Sequence, residues 1–170
     1  FGVECVALRF GNVYGPRSGH KTSVVAKWIG LVREGVPLEI YGDGTATRDF
    51  IFVGDLIDAV VKAGEAVSEN VAGEVFQIAT SRETTVGEVA ETIQAEAAKL
   101  GIEAPSVVFA AERAGDVHRN YSDTSKAERL LHWKASTTLP DGVRLVFSEV
   151  LGRSSRISRD ECEGSDGRTL

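Results

Sequence analysis

The chain is predicted to be an α/β protein, and three observations predict it. Short apolar runs bounded by turn residues stand at 3–10, 38–41, 48–53 and 74–80 and read as strands. Between them lie longer segments whose apolar residues recur at helical spacing, with capping residues at their ends. The two kinds of element are interspersed along the chain, as in a layered α/β domain.

Taken in order, VECVALRF (3–10) is apolar on both alternations, as a strand buried on both faces would be. NVYGPRSGHKT is a turn-rich loop. Ser23 is placed to cap a helix over VVAKWIGLVREG, and Gly35 to end it. LEIYGDG is a short strand closing in a Gly-Asp-Gly turn, and RDFIFV is a second strand. Asp55 is expected to cap a helix over LIDAVVKAGEAV. GEVFQIAT is another buried strand. Thr85 and Glu88 have the spacing of a capping box before VAETIQAEAAKLG. VVF at 107–109 is a short strand, and DTSKAERLLHW starts a helix at Asp123 or Thr124. The last helix covers TLPDGVRLVFSEVL, with Pro140 tolerated in its first turn. From Gly152 onward the chain is polar and aperiodic and is expected to be a disordered tail. The organisation expected is thus one unit over 1–151 and a tail over 152–170. No internal repeat is visible.

Composition excludes several classes. With 42% hydrophobic and 26% charged residues, the 170-residue chain is of globular type. A net charge of −6 argues against a nucleic-acid-binding surface, though not against a local basic pocket. No apolar run approaches the roughly 18 residues of a membrane span. The two cysteines, Cys5 in an apolar strand and Cys162 in a polar tail, make no disulfide framework, so a cytoplasmic location is expected. His20, His118 and His132 lack metal-ligand spacing, and no metal is expected. The chain opens on Phe1 and holds no Met, which suggests an internal or processed piece.

Four blocks carry chemistry: LRFGNVYGPR, IYGDGTATRDFIFVGDLIDA, GEVFQIATSRETTVGEVA and RAGDVHRNYSDTSKAERLLHW. The first two bring Asn12, Arg17, Arg48 and Asp49 beside tight glycine turns. In this order the blocks resemble the C-terminal, substrate-binding part of the extended short-chain dehydrogenase/reductases. These are the NAD-dependent nucleotide-sugar epimerases and dehydratases, with UDP-glucose 4-epimerases nearest in pattern. The resemblance covers roughly residues 4–150. It implies the last strands of a Rossmann-like parallel sheet plus a small mixed α/β substrate-binding domain, so an incomplete version of that fold.

The resemblance also implies site residues. Asn12, just past a strand end, matches the Asn that hydrogen-bonds substrate beside the nicotinamide; a plain turn Asn is the alternative. Phe10 matches a wall near the cofactor, or else packs in the core. Arg48 matches the arginine that holds the sugar-nucleotide diphosphate, a task suited to a planar guanidinium. Its alternative is a surface ion pair with Asp43 or Asp49, and Asp49 itself is expected to orient a neighbour. Arg113 matches a second phosphate-binding arginine, although the usual Arg-Pro-Gly-Asp reads Arg-Ala-Gly-Asp here. Asp116 fixes that loop or meets the ribose. Glu39, Ile40 and Tyr41 match the segment that wraps the base, largely through backbone groups; Tyr41 could equally be an edge-strand aromatic. Ser23 and Val24 match a helix start whose amides face phosphates, which an ordinary cap would also explain.

Two signatures of the resembled family are absent. No Tyr-x-x-x-Lys occurs: Tyr14, Tyr41 and Tyr121 are followed four residues later by Ser18, Thr45 and Ser125. No Gly-x-x-Gly-x-x-Gly occurs either. The resemblance therefore implies NAD as cofactor of a parent enzyme, with none expected on this chain alone. No catalytic residue is assigned, and the isolated chain is expected to be inactive. The partner implied is a UDP-sugar or other nucleotide-sugar. Alternatives are the same part of a dTDP-glucose 4,6-dehydratase or a UDP-glucuronate decarboxylase, or a non-catalytic binding or assembly module. Strands 3–10 and 73–80 carry apolar edges, and a homo-oligomer meeting near them is expected.

Overall fold

Each strand finds one partner. The computed structural model describes residues 3–18, 23–66 and 68–163, apart from the side chains of Ser68 and 153–163. Within them, β1 (Ala7–Phe10) pairs in parallel with β6 (Val75–Ile78), and β2 (Asn12–Tyr14) in parallel with β5 (Phe50–Phe52). β3 (Leu38–Tyr41) pairs in parallel with β8 (Val107–Ala110). β4 (Thr47–Arg48) pairs antiparallel with β7 (Thr84–Thr85). The helices are α1 (Val24–Glu34), α2 (Val53–Glu65), α3 (Ser68–Val71), α4 (Val86–Lys99), α5 (Ser125–Leu131) and α6 (Leu139–Glu163). The α/β class is as predicted.

The β2–β5 pair separates two apolar clusters. Successive side chains of a strand point to opposite faces. Phe50 and Tyr14 accordingly join Trp28, Ile29, Leu38, Ile40, Ile93 and Phe147, between α1, α4 and α6. Ile51 joins Phe76, Ile78, Leu131 and Trp133 on the other side, with Val13 packed against them. Tyr14 meets Phe52 edge-on at 5.8 Å between ring centroids. A side chain at Gly142 would place its Cβ 2.2 Å from the Tyr14 hydroxyl oxygen, so glycine there lets α6 close over the ring. Burial, helped by the charges of Asp55 and Asp141, pushes the Tyr14 pKa up and keeps the phenol neutral.

Several local expectations hold. Gly35 ends α1 in the left-handed conformation at φ 68°, with its N–H donated to Val32 O. Thr85 and Glu88 form the reciprocal capping box of α4, at 3.0 and 2.6 Å. Thr124 precedes α5, and Pro140 sits in the first turn of α6. Buried Glu96 of α4 accepts from Lys99 and from Arg144 of α6; the Lys99 bond first, then Arg144, holds its carboxyl below the usual range.

Others are corrected. Asp55 does not cap α2, which already starts at Val53. It is buried in the first turn and accepts from Ser136 Oγ at 3.1 Å and Thr137 N at 3.0 Å. The helix over 56–67 ends at Glu65, with α3 beyond it. The loop after residue 11 contains β2, and RDFIFV is split into β4 and β5 at Asp49. The 3–10 segment is not buried on both faces: Ala7, Arg9 and Phe10 are exposed, because β1 has one partner strand and apolar packing on one side. Cys5 precedes the strand and is exposed. α6 runs past Gly152 to Glu163, into the segment expected as a tail, and 164–170 lie outside the described residues. Among the described residues no helix is long and apolar enough to cross a membrane, and no acidic, His or Cys cluster could hold a metal.

Candidate functional site

Register places the first half of the site. The β3–β8 pairing sets Tyr41 opposite Ala110, and Gly42 N donates to Ala110 O at 3.0 Å. Residues following β8 therefore emerge beside the end of β3. Arg113 lies with its guanidinium carbon 3.7 Å from the centroid of the Tyr41 ring, a stacked cation–π contact. The Tyr41 hydroxyl donates to Glu39 Oε2 at 2.5 Å, which fixes the ring that Arg113 covers. Beyond Tyr41 the chain turns through Gly42 and Gly44, at φ 77° and 82°, conformations that favour glycine. Asp43 Oδ1 accepts from Thr45 Oγ1 and Thr45 N in this turn, and those bonds hold its carboxyl below the usual range.

A second turn carries the other half. Asp116 N donates to Arg113 O across Gly115, whose φ is 81°. The loop is pinned to β4 at three points. Thr47 N donates to His118 O at 2.8 Å, Arg48 Nη2 donates to Asp116 Oδ1 at 2.7 Å, and Arg48 Nη1 donates to Val117 O. Between the two turns is a cavity of about 190 Å³ lined by Tyr41, Asp43, Thr45, Glu112, Asp116 and His118, among others.

Asp49 anchors this arrangement from below. It is buried, and its Oδ1 accepts from Thr80 N at 2.8 Å and Thr80 Oγ1 at 2.6 Å, while Oδ2 accepts from Ser122 N at 3.4 Å. Its backbone oxygen accepts from Asn12 N at 2.7 Å. The Asp49 side chain thus ties the residues following β6 to the loop before α5, and its backbone oxygen adds the start of β2, all at the residue between β4 and β5 that adjoins Arg48. This matches the orienting role expected of Asp49.

The structure therefore brings Glu39, Tyr41, Arg48, Arg113 and Asp116 into one cluster. The surface ion pair anticipated as the alternative for Arg48 involves Asp116 rather than Asp43 or Asp49. Phe10 and Asn12 lie outside the cluster, at the end of β1 and the start of β2, and both are exposed. Ser23 precedes α1 as expected but makes no side-chain cap bond, and Val24 packs against the core. Arg17 donates its backbone N–H to Glu149 of α6. Sequence reasoning weighed Asp43 only as an ion-pair partner and His118 only as a metal ligand, and it placed neither these nor Glu112 at the cavity. Asp43 could have been found from Asp-x-Thr, a side-chain-stabilised turn; His118 and Glu112, 3.1 Å apart across the loop, carry no local signal.

Two guanidiniums, an aromatic ring and two glycine turns can bind an anion attached to a planar group. Parallel pairing with loops at the strand ends is the Rossmann-like α/β class. Residues 1–79 match the model of the NAD dependent epimerase/dehydratase family. The UDP-glucose 4-epimerase of Mycolicibacterium smegmatis is 33% identical over 146 residues, 84% of this chain and 44% of that one. The UDP-glucuronic acid decarboxylase 1 of Arabidopsis thaliana is 30% identical over 164 residues, 96% of this chain and 35% of that one. The crystal structure of a Thermotoga maritima UDP-glucose 4-epimerase with UDP-glucose superposes with a TM-score of 0.79 at 30% identity, over 91% of this chain and 48% of that one. The chain belongs to the NAD-dependent epimerase/dehydratase family and spans about half the length, or less, of these relatives.

Proposed function

We propose that this chain forms the nucleotide-sugar-binding part of an NAD-dependent sugar-nucleotide epimerase of the UDP-glucose 4-epimerase kind. The observation that carries the reading is that Arg113 stacks on Tyr41 while Arg48 holds Asp116 and Val117 of the same loop. Arg48 and Arg113 neutralise the diphosphate, and the Glu39–Tyr41 segment meets the base. Charge-assisted bonds from a guanidinium to phosphate oxygens are about twice as strong as neutral ones. Ser23 and Val24, at the start of α1, offer amides to the phosphates, and Asn12 meets the sugar. The same clamp suits a decarboxylase or a 4,6-dehydratase, and the relatives include a decarboxylase.

NAD supplies hydride exchange at the sugar in this family reading. The residues present do not complete a site for it. Phe10 and Asn12 offer one flank, and the sequence holds neither a dinucleotide-binding glycine turn nor Tyr-x-x-x-Lys. No hydride or proton step is therefore assigned to this chain. Titration calorimetry of the 170-residue chain tests the reading. UDP is expected to bind at least about tenfold tighter than uridine, since two charged phosphate contacts distinguish them. Added NAD is expected to produce no interconversion of UDP-glucose and UDP-galactose. Equal binding of UDP and uridine contradicts the clamp, and turnover contradicts the division of labour.

The exposed apolar residues bear on assembly. Phe10, Ile57, Val60, Val61 and Val75 are all about half exposed, on β1, α2 and β6. A groove lined by Cys5, Val6, Leu8, Val60, Ala63 and Val71 adjoins them. The unpaired edge of β1 offers its backbone groups to another chain. A second copy is the occupant expected in the isolated protein, so a dimer or larger species should appear in sedimentation at micromolar concentration. A monomer throughout that range contradicts the edge reading.

A further inference from the structure

Arg48, the residue on which the clamp depends, is already occupied. Nη1 donates to Thr47 O at 2.8 Å and to Val117 O, and Nη2 donates to Asp116 Oδ1 at 2.7 Å. The Arg48 side chain is 17% exposed and that of Asp116 is 41% exposed. An anion that takes the Nη2 hydrogen now donated to Asp116 must therefore replace a carboxylate, and one that binds the remaining Nη2 hydrogen sits beside that negative charge. We propose that Asp116 is an internal competitor for Arg48 and sets a charge threshold on the site, admitting diphosphates and rejecting anions of single charge. This inference rests on the reading of Arg48 as a diphosphate ligand and gives Asp116 a role opposite to that of a ribose contact.

The competition has a clear physical order. A monoanion brings no more charge to Nη2 than Asp116 does, and Asp116 is tethered by its own loop, whose Val117 N also donates to Oδ1 at 3.0 Å. A diphosphate carries more charge and enough oxygens to reach a second guanidinium. Arg113 is available for this, because its stacking on Tyr41 leaves its in-plane donors unused by any carboxylate bond among the described residues. The displaced Asp116 is exposed enough to return to water, where losing a surface pair costs little. Like charge between Asp116 and the arriving phosphate then favours its departure from the site.

The Asp116→Asn variant isolates this effect. Asparagine keeps an oxygen for Val117 N and removes the charge. Calorimetry at low salt and about pH 5.5, where inorganic orthophosphate is mainly a monoanion and pyrophosphate a dianion, would follow both on the full chain. Asp116→Asn is expected to bind pyrophosphate about tenfold tighter than wild type and to narrow the gap between pyrophosphate and orthophosphate. Asp116→Ala should move the same way, and in an Arg48→Ala background neither change should matter. Unchanged or weaker pyrophosphate binding in Asp116→Asn overturns the proposal, as does absence of binding to both proteins. UDP binding to wild type is read separately: its failure counts against the nucleotide-sugar reading, whereas its success with unchanged or weaker pyrophosphate binding in Asp116→Asn counts against the competitor alone.

Discussion

Asp49→Ala is expected to lower the stability of the chain by about 3 kcal/mol, the range for breaking a buried charged network. Asp49 is 3% exposed and accepts from Thr80 N, Thr80 Oγ1 and Ser122 N. Removing the carboxylate leaves two backbone N–H groups without this acceptor and frees the loop that leads back to Asp116. The loss therefore has a second readout, a weakened clamp, because Arg48 is the adjoining residue. Asp49→Asn should recover only part of the stability, since its amide nitrogen cannot accept from Ser122 while its oxygen serves Thr80. Urea unfolding of the three proteins measures this. A loss below about 1 kcal/mol for Asp49→Ala would show that the loops are held by other contacts.

Trp133→Ala is expected to have a larger effect on stability, about 3–5 kcal/mol, as for other fully buried tryptophans. Trp133 is 0% exposed and lies among Ile51, Phe76, Ile78 and Leu131. Its Nε1 donates to Asp55 O at 3.0 Å. The Asp55 carboxylate in turn receives Ser136 Oγ and Thr137 N. Ring and carboxylate together fasten the start of α2 to the segment leading into α6. Trp133→Phe separates the two terms: it keeps most of the apolar volume and loses one hydrogen bond, for about 1–2 kcal/mol. Thermal unfolding reads both variants, and equal losses for Ala and Phe would show that the bond, not the ring, is what matters.

The contrast between Asp49 and Asp55 shows what the sequence made legible. Elements with a local cause were readable. The capping box at Thr85 and Glu88, the glycine ending α1 and the Pro140 turn depend on neighbours within a few residues. Asp55 looked like a cap for the same local reason, but its partners are Ser136 and Thr137, more than eighty residues away. The short strands β2 and β7 were missed, and β4 was merged with β5, because two or three residues carry no periodicity and only their partners define them. The burial expected of β1 followed from its apolar composition, yet one partner strand leaves half of it open.

The site was legible in the same divided way. Arg48, Arg113, Tyr41, Glu39 and Asp116 were marked by motifs, and the fold brings them together. The pairing of Arg48 with Asp116 depends on the β4 contact with the 112–118 loop, which no spacing announces. Glu112 and His118 joined the cavity through the fold alone, and Asp43, read only as an ion-pair partner, lines it as well.

The measurement closest to the central claim is titration calorimetry of UDP on the 170-residue chain with Arg48→Ala and Arg113→Ala. On the proposed reading each substitution removes a charge-assisted phosphate contact and should weaken binding by about 2 kcal/mol, roughly thirtyfold, while leaving uridine binding nearly unaffected. Arg113→Ala should unfold at close to the wild-type urea concentration, whereas Arg48→Ala also loses the bonds to Thr47 O, Val117 O and Asp116, so its affinity is read at a urea-free condition where unfolding shows it fully folded. UDP binding of the same strength in wild type, Arg48→Ala and Arg113→Ala would contradict the nucleotide-diphosphate clamp.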